Sequence, residues 1–165
     1  GFYQINQFLI EPWLKKIKEY SPKVDHLVEY FSGSGIISVI LKDHFKKITG
    51  YELDKEAVKY ASKNAGKNGL TDFKFQTINL YEQNPEIPKS AFWIFNPPRN
   101  GLNKLIIDQL KNHQPEHILY SSCNYITLGR DLKDLLPLYK IDKLSMIDFF
   151  PRTPYFETLV KLVKI

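Results

Sequence analysis

Between Asp25 and Leu41 the chain runs from one apolar segment into another through Phe31-Ser32-Gly33-Ser34-Gly35. Asp25 to Tyr30 reads as a strand and Ile36 to Leu41 as an apolar helix. Strand, glycine turn and helix in that order open a nucleotide-type βαβ unit, in which glycines let the backbone approach a ligand at the helix start. A plain tight turn would look the same. The next predicted strand, Lys47 to Tyr51, ends at Glu52, nineteen residues past Gly33. An acidic residue at that offset is where a ribose hydroxyl pair is held by bidentate hydrogen bonds. Each signal is weak alone, and each supports the other.

The remaining elements repeat the alternation. A helix carrying Phe8, Leu9, Trp13, Leu14 and Ile17 precedes the first strand, with Pro12 tolerable only in its first turn. Asp54 caps a helix through Ala57, Val58, Ala61 and Ala65 that stops at Asn68-Gly69. Thr71 to Ile78 alternates as a strand and leads to Asn79. The strand Ala91 to Phe95 ends in a rigid loop, Asn96-Pro97-Pro98-Arg99-Asn100-Gly101. A helix over Asn103 to Asn112 follows, then the apolar strand Ile118-Leu119-Tyr120, Cys123, and a helix over Ile126 to Leu136. Strands over Lys140 to Phe149 and Glu157 to Lys164 close the chain. Strand and helix alternating about five times before a terminal hairpin predict an open, mostly parallel α/β sheet with helices on both faces. If the penultimate strand is parallel to the others, Gly33, Glu52, Asn79, Asn96, Arg99, Cys123, Arg130, Arg152 and Glu157 gather at one sheet edge.

Charge gives that edge a direction. The net charge is +5 and the isoelectric point near 9.1, which favours a polyanionic partner. The only arginines are Arg99, Arg130 and Arg152, and all three fall at the predicted edge. Their planar forks suit phosphate and carboxylate. Cys123 is the only cysteine, so no internal disulfide can form, and no Cys/His cluster suggests a metal. No apolar run approaches the ~20 residues of a membrane span. A reducing cytoplasm is the expected location. A lone cysteine is by default a small buried hydrophobe; this one lies just past a strand and before a helix, where α/β sheets bind ligands.

Five motifs, in order and spread over nearly the whole chain, resemble the catalytic domain of the RNA uracil-5-methyltransferases. They are Phe2-Tyr3-Gln4-Ile5-Asn6, Tyr30-Phe31-Ser32-Gly33-Ser34-Gly35, and Asn96-Pro97-Pro98-Arg99-Asn100-Gly101. Then come Tyr120-Ser121-Ser122-Cys123-Asn124 with Thr127-Leu128-Gly129-Arg130-Asp131, and Asp148-Phe149-Phe150-Pro151-Arg152-Thr153 with Glu157-Thr158. The resemblance implies a Rossmann-like class I methyltransferase fold with a mostly parallel seven-stranded sheet and a C-terminal antiparallel hairpin. It implies S-adenosyl-L-methionine as cofactor and transfer or ribosomal RNA as partner, with no metal in this domain. Gln4, Phe31, Gly33, Gly35, Glu52, Asn79 and Asn96 would surround the cofactor, with Glu52 on the ribose. Cys123 would be the nucleophile and Glu157 the proton acceptor.

The implied chemistry needs those residue types. Carbon 5 of uracil is a poor nucleophile until a thiolate adds at carbon 6, and a base must later remove the carbon-5 proton. Arg99, Arg130 and Arg152 are candidates for RNA contact, with Tyr125, Tyr155 and Phe156 as stacking candidates. Arg130 is also a candidate for stabilising the thiolate, or for pairing with a carboxylate at the core's edge.

The chain departs from the family pattern at Glu29 and Asn96 (usually Asp), Ser32 (Cys), Ile36 (Asn), Tyr125 (Pro) and Tyr155 (His). Ile36 and Asn96 fall at expected cofactor contacts and would weaken S-adenosylmethionine binding. The family's N-terminal RNA-binding domain is not in this sequence, so an excised domain spanning 1–165 is expected. Two other readings share some of the motifs. An amino-group methyltransferase would use Asn96-Pro97-Pro98 but has no use for Cys123 and Glu157, and a non-catalytic cofactor- or RNA-binding domain would need neither.

Overall fold

The computed structural model describes residues 7–87 and 91–165. Its elements are a 3-10 turn (Gln7–Leu9), α1 (Ile10–Tyr20), β1 (His26–Tyr30), α2 (Ile36–Ile40), β2 (Lys47–Glu52), α3 (Lys55–Lys67), β3 (Phe73–Thr77) and β4 (Phe92–Phe95). They continue with α4 (Lys104–His113), β5 (His117–Ser122), α5 (Tyr125–Leu135), β6 (Tyr139–Ile147) and β7 (Glu157–Lys164). The expected elements are all present, with ends moved by one to three residues. Pro12 lies in the first turn of α1, and Asp54 caps α3 by accepting from the Glu56 and Ala57 amides.

One seven-stranded sheet runs β3-β2-β1-β4-β5-β7-β6. β1 to β5 are mutually parallel, and β7 runs antiparallel to both β5 and β6. β6 therefore points the same way as the parallel strands, which puts the β6–β7 loop at their carboxyl edge. The order reverses between β1 and β4, opening the crevice in which such sheets bind ligands.

Period-two alternation divides the core. Val28, Tyr30, Trp93, Phe95, Ile118, Tyr120, Val160 and Leu162 face α4 and α5, represented by Ile106, Leu110, Leu128 and Leu135. Leu27, Ile48, Phe92, Ile94, Leu119 and Leu159 face α1 and α2, represented by Trp13, Ile17, Ile37 and Leu41. The central strands are buried on both faces, which explains why they read as continuous apolar runs rather than alternating ones. β6 is an edge strand with Lys140 and Lys143 exposed, the kind of charge that discourages pairing with another sheet. No described helix is long and apolar enough to cross a membrane.

Candidate active site

The chain leaves β1 through three residues with left-handed backbone, Phe31 (φ 59°), Gly33 (φ 51°) and Gly35 (φ 75°). At Gly35 glycine is required twice over, because a Cβ there would also sit 3.1 Å from Ala61 and 3.2 Å from Phe75. The turn aims the Gly33 amide at Glu52, whose Oε2 accepts it at 3.0 Å. The other carboxylate oxygen accepts from the Leu53 and Asp54 amides at 2.7 and 3.1 Å. Backbone donors therefore fix the acid at the carboxyl end of β2, beside the glycine turn.

Phe31 packs on Tyr81 with ring centroids 5.6 Å apart, and Asn79 holds that segment by accepting from the Tyr81 amide. Asn96 follows β4 directly and donates its amide to the Tyr30 carbonyl at 3.4 Å. Phe31, Gly33, Gly35, Glu52, Asn79 and Asn96 thus lie at or just past the carboxyl ends of β1 to β4, around the point where the strand order reverses. Gln4 lies outside the described residues. Ile36 is 44% exposed at the start of α2, presenting an apolar side chain to this edge.

The second half of the site is built by β5 and β7. Ser122 pairs with Thr158 in their antiparallel register, so the next residues along, Cys123 and Glu157, face each other at the strand ends. Cys123 is 8% exposed and Glu157 1% exposed. Ser121 Oγ donates to Glu157 Oε1, and Trp13 Nε1 donates to Ser121 Oγ at 3.1 Å. This relay orients the carboxyl from α1, on the same face of the sheet.

Burial raises the pKa of Glu157 to about 7, only partly opposed by the Ser121 hydrogen bond. Burial likewise pushes the Cys123 thiol up, and the Glu157 charge adds to the effect. Arg99 works against both, through its positive charge and a hydrogen bond to the sulfur. Arg99, rather than Arg130, is therefore the cation that favours a Cys123 thiolate, and of the roles expected of Arg130 the structure shows the pairing with a carboxylate at the core's edge.

Arg130 is turned onto a buried acid. Its Nε and Nη2 donate to Asp131 Oδ1 at 2.9 and 2.7 Å, and Nη2 also donates to the Asn100 and Leu102 carbonyls, both at 2.9 Å. Asp131 Oδ2 accepts from the Leu102 amide at 2.8 Å and from the Tyr120 hydroxyl at 2.7 Å. From the start of α5, Asn124 Nδ2 and Thr127 Oγ1 donate to the Arg99 carbonyl at 3.0 and 3.1 Å. The Asn96–Leu102 loop is thereby clamped to α5, with Arg99 carried towards Cys123. Gly101 (φ 72°) makes the clamp possible, since a Cβ there would lie 2.6 Å from Asp131 Oδ2.

The Arg99 guanidinium lies 4.6 Å from the Tyr155 ring centroid. Tyr125 and Phe156 stack on each other near the same loop. Arg152 is exposed on the β6–β7 loop in a left-handed conformation, φ 67°.

Asp131, Ser121 and Trp13 were not singled out from sequence. Asp131 did carry a signal, an acid on the apolar stripe Leu128–Asp131–Leu135. The Trp13–Ser121 contact spans 108 positions and carried none. Among the described residues no group of acids, histidines or cysteine could hold a metal.

Comparison with known proteins bears on this geometry. Residues 88–165 match the family described as tRNA (Uracil-5-)-methyltransferase, and residues 13–121 match the methyltransferase small domain. An RNA methyltransferase of Leptospira interrogans is 42% identical over 99% of this chain and 41% of its own length. The 23S rRNA (uracil(747)-C(5))-methyltransferase RlmC of Escherichia coli is 34% identical over 86% of this chain and 38% of its own. The crystal structure of Pyrococcus abyssi tRNA (uracil-54, C5)-methyltransferase in complex with S-adenosyl-L-homocysteine superposes with a TM-score of 0.85. It is 28% identical, over 99% of this chain and 40% of that one. The chain therefore spans about two fifths of the length of the relatives it matches.

Proposed function

The chain belongs to the RNA uracil-5-methyltransferase family, and from that premise we propose that it methylates carbon 5 of a uridine in tRNA or rRNA through a covalent adduct on Cys123. The observation that carries the proposal is the pairing of a buried thiol with a buried acid, its pKa raised to about 7, across the β5–β7 register. A purely structural cysteine has no need of such an acid beside it, nor of Arg99 on its sulfur.

The cofactor would be S-adenosylmethionine, held in the switch-point crevice. Glu52 suits a ribose diol, because a carboxylate fixed by backbone amides is already pointed into the crevice and needs no reorganisation. The Gly33–Gly35 turn leaves room for close approach, and Phe31, Asn79 and Asn96 would complete the wall. Bound there, the cofactor supplies a methyl group on a sulfonium.

The Cys123 thiolate adds to carbon 6 of the uracil, and the electron pair of the 5,6 double bond moves onto carbon 5 and the carbon-4 oxygen. Carbon 5 would take the methyl group as the methyl–sulfonium bond breaks, its electron pair staying on the sulfur of the departing thioether, S-adenosylhomocysteine. Glu157, as carboxylate, then accepts the carbon-5 proton, the 5,6 double bond re-forms and the carbon–sulfur bond breaks. Thiolate and product are returned, and the proton leaves through Glu157 to solvent. Arg99 favours the thiolate against the burial that opposes it.

The pH dependence follows from the signs. Glu157 must be ionised to accept a proton, and its pKa is raised to about 7. Cys123 must also be ionised, and its pKa is raised as well. kcat/KM is therefore expected to fall steeply as pH drops below about 7 and still to be rising at pH 8. A profile that is flat from pH 5 to 8 contradicts these assignments.

Tritiated methyl transfer tests the proposal. The protein is incubated with labelled S-adenosylmethionine and unmodified tRNA or rRNA transcripts, which are then digested to nucleosides. Label in 5-methyluridine is expected. Label in a base-amino product instead identifies the amino-group methyltransferase that Asn96-Pro97-Pro98 could also serve.

A further inference from the structure

Tyr125 and Phe156 are nearly coplanar in orientation, with an interplanar angle of 5° and centroids 5.5 Å apart. They come from different elements. Tyr125 is the first residue of α5, two positions past Cys123, and Phe156 immediately precedes Glu157 at the start of β7. The β5–β7 register that brings Cys123 and Glu157 together therefore sets this pair at the rim of the same site. Tyr125 is 45% exposed, and neither ring belongs to or packs against the two apolar cores. Tyr155, next in sequence, does pack against a core and carries Arg99 over its ring. Two large rings are stacked outside both cores, with Tyr125 half-exposed and Phe156 partly so.

We propose that the Tyr125–Phe156 pair is a stacking platform for the nucleobase next to the reactive uridine in a single-stranded or opened RNA. The inference rests on the RNA-methylating reading above and adds to it a substrate contact outside the reacting base. Cys123 is almost wholly buried, so a uracil reaching it must leave its stack and strip a neighbouring base of its partner. A pre-stacked aromatic pair can replace that lost partner without sequence preference, because every base offers a π face. The rings are already held by each other, so little rotamer freedom is lost on binding.

The test uses a short single-stranded RNA with one uridine, and two analogues in which the nucleoside on either side of it is abasic. Tyr125→Ala and Phe156→Leu are expected to weaken RNA binding about tenfold, the scale of one lost base stack, with the loss in kcat/KM carried by KM. One of the two abasic RNAs is expected to bind wild type about tenfold more weakly and to cost Tyr125→Ala nothing further. Unchanged thermal stability and S-adenosylmethionine binding exclude misfolding as the cause, and Phe156→Leu keeps apolar bulk at the exposed rim. The proposal is overturned if both variants bind RNA like wild type, or if the abasic penalty persists in full in Tyr125→Ala. Wild type that binds these RNAs with the expected pattern but forms no 5-methyluridine would instead overturn the functional reading and leave the platform standing.

Discussion

Cys123→Ala is expected to abolish methyl transfer, by at least about 10⁴-fold, the scale on which removal of a covalent nucleophile acts. Nothing else in the site can take over the addition. Ser121 and Ser122 precede Cys123 on β5, but Ser121 is committed to Glu157 and Ser122 to the Asn124 carbonyl. Cys123→Ser is expected to be inactive too, because a serine hydroxyl is not ionised near neutral pH and no general base outside Glu157 adjoins it. The fold should survive both changes. Cys123 belongs to the core on the α1 side but sits just past the end of β5, and removing one sulfur there costs on the order of 1 kcal/mol. Methylation assays read alongside thermal melts separate the two effects. A Cys123→Ala protein that melts like wild type and still methylates RNA would point to the amino-group reading.

Asp131→Ala is expected to have the largest effect on stability, roughly 3 to 5 kcal/mol, measured by urea denaturation. Little of this comes from Coulomb attraction to Arg130, whose side chain is 55% exposed and screened by water. The cost lies in what the carboxylate leaves behind. The Leu102 amide and the Tyr120 hydroxyl are both buried and both lose their acceptor, and an unsatisfied buried donor costs about 1–3 kcal/mol. Combining Asp131→Ala with Tyr120→Phe should therefore be less destabilising than the sum of the single changes, since the orphaned hydroxyl is gone. Strict additivity in that cycle would show that Tyr120 and Asp131 are not energetically coupled. Activity should fall further than stability alone requires, because the same clamp holds the Arg99 loop against α5.

The fold was legible because its signals were local. The central strands of the parallel sheet are short apolar runs ended by turn residues, β3 alternates, and three helices have side-chain caps, at Asp54, Asn103 and Asn124. Glu52 was legible for the same reason, since strand end and offset from the glycine turn are both read along the chain. Cys123 and Glu157 were legible as motifs. Their meeting also needed the direction of β6 and the register of β7, which no local pattern specifies.

Arg130 shows where sequence reading stops. It sits beside an acid and one helical turn from the site, and its partners depend on how Gly101 turns the preceding loop back towards α5. Arg99, not Arg130, acts on Cys123, because two α5 side chains grip its carbonyl. Contacts of this kind, like that of Trp13 with Ser121, depend on tertiary placement rather than on periodicity.

The central claim is the covalent bond from Cys123 to the substrate. An RNA carrying 5-fluorouridine at the target position lets that bond form and then prevents its release, because fluorine cannot be removed from carbon 5 as a proton can. Incubated with this RNA and S-adenosylmethionine, then denatured, digested and analysed by mass spectrometry, the protein should yield a Cys123 peptide carrying a methylated fluorouridine nucleotide. Measurable binding of both ligands with no adduct on that peptide would contradict the account.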